Sequence, residues 1–396
     1  MDSFVSVENR KRMFMAAYAI YLFSVILFSS KYAEMSQLNM LFPLIRVTAY
    51  FLVFSKLLLD FFSRGFSAKE IVIAGMVGVL LTVIAYISKD KNMLIYWAFI
   101  VAAHDVEFDK VIKCSLWVHL AGLLLVIGSS YLHILENRIY YQDGGNRIRE
   151  SLGFQYTTES SNYFFYTILL WVYCRKEKIT WKEIIAMLCI SAFLFLKTDT
   201  KNSFLLGLAA IAAAAALKHV VWLRRFKKLY SVIVVGIVPT LAFVIIGLSV
   251  AFDSSILWMN KINDFVTGRL ALAKDGYLKY GVHLLGQHIE WIGGTPPEGK
   301  IYNYVDSSYM QILLNFGIIF FTLLISGLVV LGIYITVSRD TYFCLVFIIF
   351  AVHSTLDPQL IWIGYNSFII AYSYVLVSER KRKNESSTAE YSAANG

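Results

Sequence analysis

Residues 230–250 read YSVIVVGIVPTLAFVIIGLSV and residues 309–337 read YMQILLNFGIIFFTLLISGLVVLGIYITV, two blocks without a charged side chain. A helix needs roughly 20 consecutive apolar residues to cross about 30 Å of hydrocarbon, and each block is long enough. Working outward, similar runs lie near residues 13–30, 39–62, 71–88, 92–106, 114–135, 158–174, 183–198, 203–218, 341–354 and 360–378. That makes twelve candidate spans, of which 92–106, 203–218 and 341–354 are short. Over all 396 residues 58% are apolar or aromatic, 16% are charged and the mean hydropathy is +0.61. An average soluble chain is about 25% charged. The composition excludes a soluble enzyme, a disordered chain and a disulfide-rich secreted module. The expected class is all-α: a polytopic membrane helical bundle of about 12 transmembrane helices, with residues 1–378 forming one membrane-embedded domain.

The first block follows Arg10-Lys11-Arg12 as a signal peptide would. Its apolar stretch is long and no small-residue cleavage site follows, so it reads as a retained anchor. Lys and Arg in the loops set the orientation. With the N-terminus inside, the inside segments hold 21 Lys/Arg, against eight outside once the long loop at 251–306 is set aside. Both termini are then cytoplasmic, and loops 136–157 and 251–306 are extracytoplasmic. The second of these precedes the tenth span and is by far the longest loop, a length that usually carries function. The polar tail 379–396 begins Glu-Arg-Lys-Arg-Lys and reads as disordered and cytoplasmic. Cys114, Cys174, Cys189 and Cys344 sit in or beside apolar blocks without CxxC spacing, so they read as small apolar residues rather than disulfides or zinc ligands. The net charge of +9 accompanies no nucleic-acid-binding motif.

Candidate chemistry lies mostly in the two long loops. They carry Arg138, Arg147, Arg149, Lys261, Arg269, Lys274, Lys279 and Lys300, against the orientation rule, which an anionic substrate at that surface would explain. Arginine suits phosphate because its planar fork donates two parallel hydrogen bonds. Aromatics such as Tyr140, Tyr156, Trp291 and Tyr304 accompany them, suited to stacking on sugar rings or to interfacial partitioning. His283 and Gln287 share one face if their stretch is helical. His353 and Asp357, four residues apart at the end of a span, suit a base and its orienting partner. Asp306 is either a chemical group or an N-cap for the span that starts near Ser307. Within the second span Arg46 adds to the outer basic surface, whereas Lys56 snorkels inward beside Asp60. No HExxH, GxSxG, P-loop or dinucleotide fingerprint is present, so no metal site or cofactor is expected.

Several outer motifs resemble Wzy-type polymerases of capsular, exopolysaccharide and O-antigen repeat units, within the O-antigen polymerase/ligase superfamily. They are Gly268-Arg269-Leu270, Gly276-Tyr277, Tyr280-Gly281, Leu285-Gly286-Gln287 and Tyr304-Val305-Asp306-Ser307-Ser308-Tyr309-Met310-Gln311-Ile312-Leu313-Leu314-Asn315-Phe316-Gly317. Arg149-Glu150-Ser151-Leu152-Gly153-Phe154 in the shorter loop and Tyr365-Asn366-Ser367-Phe368 near the last span are similar too. Two features depart from the pattern. The glycine nearest an Arg-x10-Gly spacing from Arg269 is Gly281, one residue too far, and Thr200-Lys201-Asn202-Ser203 has lysine where Ser-Arg would stand.

The resemblance implies a metal-independent glycosyltransferase in the cytoplasmic membrane of a bacterium. It would join oligosaccharide repeat units carried on undecaprenyl pyrophosphate, in company with membrane lipids, a flippase and a chain-length regulator. Departing pyrophosphate builds negative charge, which positioned cations stabilise. On this reading Arg149 and Arg269 bind the pyrophosphate, with Lys201 or Arg46 secondary, and Asp306, Tyr309 or His353 orients or deprotonates the acceptor. His283, Gln287 and Asp357 complete the substrate-binding set. An O-antigen-ligase-like transfer shares this layout. A flippase for the same lipid-linked units would show charge across many spans and two related halves, and neither is evident.

Overall fold

The computed structural model describes residues 6–36, 38, 41–63, 65–142, 147–219, 227–294, 299 and 301–375. The expected tail, 379–396, lies outside the described residues. The long helices are α1 (Val7–Phe28), α2 (Leu41–Phe62), α3 (Ala68–Ser88), α5 (Phe108–Tyr131), α6 (Thr157–Arg175), α7 (Trp181–Thr198), α8 (Lys201–His219), α9 (Lys227–Ala251) and α12 (Ser308–Val337). Shorter ones are α4 (Asn92–Ala102), α10 (Leu257–Phe265), α11 (Arg269–Tyr280) and α13 (Thr341–His353). Seven of them, α1, α2, α3, α5, α8, α9 and α12, are long and apolar enough to cross a membrane, so the chain is a predominantly helical membrane bundle.

Helix α2 shows why these segments suit lipid. Leu44, Val47, Phe51, Phe54, Leu58 and Phe62 form an exposed apolar stripe, while Ala49, Val53, Lys56 and Asp60 on the other face are buried. Apolar outside and polar inside inverts the pattern of a soluble helix and matches a hydrocarbon surround. Within the bundle α1 packs on α2 and α5, α6 on α5, α7 and α8, and α12 on α9. Local sequence sets the helix starts. Ser67 with Glu70, and Thr180 with Glu183, form capping boxes, and Asp340 caps α13.

Three features depart from the sequence reading. The all-α class stands, but loop 136–157 adds an unforeseen antiparallel hairpin, β1 (Ile139–Gln142) and β2 (Arg147–Glu150), with Tyr140 opposite Arg149. Residues 360–378, read as a span, form no α-helix over 360–371; this buried stretch ends in a 3-10 turn, Ser367–Ala371. Third, α12 is broken at Gly317, whose φ of 83° and ψ of 175° are not helical. Residues 281–287 fill the break. The amides of Ile318 and Ile319 donate to the carbonyls of His283 and Leu284 at 3.0 and 3.1 Å, and the amide of Gln287 donates to Asn315 O at 3.0 Å. An insertion into a helix must satisfy the backbone groups it frees, and here each strand of the contact serves the other. Gly286 and Gly317 meet backbone to backbone with positive φ, leaving no room for a Cβ.

Candidate active site

Loops 136–157 and 251–306 gather at one end of the bundle. Arg269 opens α11 directly after Thr267 and Gly268, both at positive φ, which turn the chain sharply out of α10. Buried Asn263 secures that turn by accepting from the Ala271 amide at 3.0 Å. At the start of α12, Ser308 donates to Asp357 O at 2.6 Å, accepts from the Leu360 amide at 3.1 Å, and donates its own amide to Ser354 O. This clasp ties the turn after α13 to the top of α12, and Asp306 and Asp357 both line the cavity that Arg269 borders. Arg269 Nε lies 3.4 Å from Asp306 Oδ2. The N-cap of α12 is Ser307, not Asp306, which leaves the carboxylate available to the site.

These residues line a cleft of two lobes. The larger, about 620 Å³, is bordered by the carboxylates of Glu34, Glu159, Asp306 and Asp357 and by Tyr140, Tyr304, Trp362 and Tyr365. The smaller, about 390 Å³, is bordered by Arg147, Arg149, Lys201, Asp199 and Tyr302. Tyr156, Thr158, Arg269, Gly294 and Asp306 belong to both, so the lobes meet at the Arg269–Asp306 pair. The cleft is therefore unevenly charged: in the small lobe four cations face Asp199 and Asp306, whereas in the large, aromatic-walled lobe four carboxylates face Arg138 and Arg269.

Each charge has an identifiable environment. Arg149 projects from β2 with only 6% of its surface exposed, donates from Nε to Thr198 O at 2.7 Å, and lies over the Tyr156 ring. Burial pushes its pKa down from the ordinary guanidinium value. Arg147 pairs with Asp199, and Lys201 is exposed at the start of α8. Burial raises the Asp306 carboxyl to about 6, with the Arg269 guanidinium opposing the rise. Burial raises Asp357 as well, with Arg269 and the side-chain donors Asn202 and Asn162 opposing. Compared with known protein families, curated proteins and solved structures, the chain finds no match.

The cleft unites Arg149, Lys201, Arg269, Asp306 and Asp357 and omits the other expected site residues. Tyr309 is fully buried and its hydroxyl donates to Ala351 O at 3.0 Å, so it points into the helix packing and not at the cleft. His353 is likewise buried, behind Asp357: its Nε2 lies 3.5 Å from Asp357 Oδ2 and 3.2 Å from Ser203 Oγ, and its ring stacks on Phe165. The His–Asp pair read from the spacing forms with the carboxylate, not the imidazole, on the cavity. Arg46 sits over the Phe28 ring at 4.1 Å and borders neither lobe. His283 and Gln287 are not on a helix; they belong to the insert at the α12 break, where Gln287 Nε2 donates to Gly281 O and Leu314 O. Lys56 does not snorkel. Its Nζ lies 2.6 Å from both Asp60 and Asp105, with its side chain fully buried. Asp60, His104 and Asp105 are the kinds of residue that ligate metal, but the Lys56 ammonium sits among them.

Sequence reasoning missed Glu159 and Asn162. Both lie in the polar run Thr157-Thr158-Glu159-Ser160-Ser161-Asn162, which opens an otherwise apolar helix. Six polar residues exceed what a cap needs, and that excess was the available signal. The Tyr365 hydroxyl donates to Glu159 Oε2, and Asn162 accepts from Ser203 Oγ.

Proposed function

We propose that this chain polymerises oligosaccharide repeat units carried on undecaprenyl pyrophosphate, acting at the extracytoplasmic face of a bacterial cytoplasmic membrane. The observation that carries the reading is the unevenly charged cleft joined at Arg269. A lipid-linked sugar is itself uneven in charge: a diphosphate of high negative charge is bonded to a neutral, hydroxyl-rich ring. Arg149, Lys201 and Arg269 suit the first, and the carboxylates and aromatic rings of the larger lobe suit the second. Glycosyl transfer breaks the bond between the anomeric carbon and the diphosphate, so the junction between lobes is where the reacting bond belongs. Cations held there act more strongly as charge develops on the leaving group than in the ground state.

The membrane reading extends the seven long apolar helices to about twelve crossings with both termini cytoplasmic, counting α4, α6, α7, α13 and residues 360–378. Helix α13, at 13 residues, spans about 20 Å, short of a full bilayer core. Residues 360–371 are irregular but buried almost throughout, which is the condition for non-helical backbone at membrane depth. Lipids, a flippase that delivers the units and a chain-length regulator are the partners this reading requires.

Deleting the gene in its host and analysing the lipid-linked glycans tests the assignment. Single repeat units accumulating on the lipid are the expected result. Units trapped facing the cytoplasm would assign the chain to transport instead, and unchanged polymer would remove the reading.

A further inference from the structure

Four carboxylates border the larger lobe, and their surroundings separate them: Glu34 is paired with Lys31 and Arg138. Asp306 stands directly against Arg269 and borders both lobes, on the side where a diphosphate would repel it. Glu159 is held by the Tyr365 hydroxyl. Asp357 borders the larger lobe alone, is 4% exposed, and is fixed from behind by a directional chain.

The direction of that chain follows from donor counting. Ser203 Oγ donates to Asn162 Oδ1, and a hydroxyl has one hydrogen to give. Its contact of 3.2 Å with His353 Nε2 must therefore run the other way, from an Nε2–H of the imidazole to the serine oxygen. His353 is then neutral and Nε2-protonated, which agrees with a buried Nδ1 that has no hydrogen-bond partner, since a bare lone pair there costs less than an orphaned N–H. With Asn162 Oδ1 occupied, its amide group is left to donate to Asp357, beside a second amide from Asn202. The arrangement is no serine-nucleophile triad, because serine and aspartate both lie at Nε2 and the serine is buried.

Resting on the proposed glycosyl transfer, we propose that Asp357 is the catalytic base for the acceptor hydroxyl, and that His353, Ser203, Asn162 and Asn202 are positioning residues that hold its carboxylate. The acceptor O–H proton passes to an Asp357 oxygen as the hydroxyl oxygen bonds to the anomeric carbon. The bond from that carbon to the diphosphate oxygen breaks, and its electron pair leaves with the polyprenyl diphosphate, whose added charge falls to Arg269 and Arg149. Regeneration requires only loss of the proton from Asp357 to solvent in the cleft.

The test uses the full-length protein in membranes, with lipid-linked units extracted from the gene-deleted host as substrate and a thermal-shift measurement with farnesyl diphosphate as the binding probe. Asp357→Asn is expected to lower kcat by about 100-fold or more, with KM and the farnesyl diphosphate shift within threefold of wild type. Ser203→Ala is expected to lower kcat about tenfold at unchanged KM, whereas a purely structural role would lower abundance and leave kcat alone. Near-normal elongation by Asp357→Asn, or abolition by Asp306→Asn alone, overturns the assignment while leaving glycosyl transfer standing. Failure of the wild-type protein to elongate the extracted units removes the underlying reading and the base with it.

Discussion

Two clusters of buried charge among the described residues differ in what is left over. Around Lys56 the charges close on one another: the ammonium meets Asp60 and Asp105 at 2.6 Å each, and Arg10 reaches Asp60 at 2.9 Å and Ser63 at 3.1 Å. In the cleft Arg147 closes on Asp199, but Arg149 and Arg269 stay open to a cavity. Arg269 meets Asp306 only at 3.4 Å, and Arg149 spends its Nε on a carbonyl. Closed clusters hold helices together, here α1, α2 and the end of α4. Open ones hold work for a ligand. The same residue types serve both ends, so the geometry of their partners, not their identity, separates structure from function.

The comparison breaks most visibly at Lys56. Removing one member of a buried ion cluster strands its partners and costs about 3–5 kcal/mol, so Lys56→Ala should lower thermal stability and abundance sharply while the activity of each surviving molecule is retained. Arg269→Ala should do the reverse. Abundance is expected to hold, with transfer falling by about 100-fold to 1000-fold in a membrane polymerisation assay. Between these lies Gly317→Ala, a purely local lesion. A Cβ there meets the Gly286 amide and the His283 and Leu284 carbonyls at a φ that only glycine adopts readily, so a loss of about 2 kcal/mol is expected by thermal unfolding in detergent. The smallest effect is a pH dependence. Asp306 is raised to about 6, so above that pH it is ionised and competes for Arg269, and below it the neutral form releases the guanidinium. Affinity for a polyprenyl diphosphate should therefore rise a few-fold as pH falls through about 6, and Asp306→Asn should flatten that rise.

Much of the architecture was legible because hydrocarbon imposes a length on apolar runs, and blocks such as 230–250 and 309–337 declare it. The His353–Asp357 pair was legible from helical spacing, and Leu285-Gly286-Gln287 and Asn315-Phe316-Gly317 turn out to be two halves of one backbone contact. What stayed hidden depends on rotation or on distance along the chain. Whether Tyr309 faces the cleft or Ala351 is set by the twist of α12, which no local pattern reports. Lys56 and Asp105 meet across 49 residues, so snorkelling was the best local account of a lysine that is in fact paired. The hairpin at 139–150 was missed because each strand has only four residues, too few for alternation to register, although Asp-Gly-Gly-Asn between them is turn composition.

Thermal stabilisation of the purified protein by a polyprenyl diphosphate, set beside the matching polyprenol, bears most directly on the basic lobe. The diphosphate should raise the unfolding temperature by several degrees, the alcohol should not, and Arg149→Ala or Arg269→Ala should erase the difference. Equal stabilisation by both lipids, or a diphosphate effect untouched by either substitution, would contradict the account.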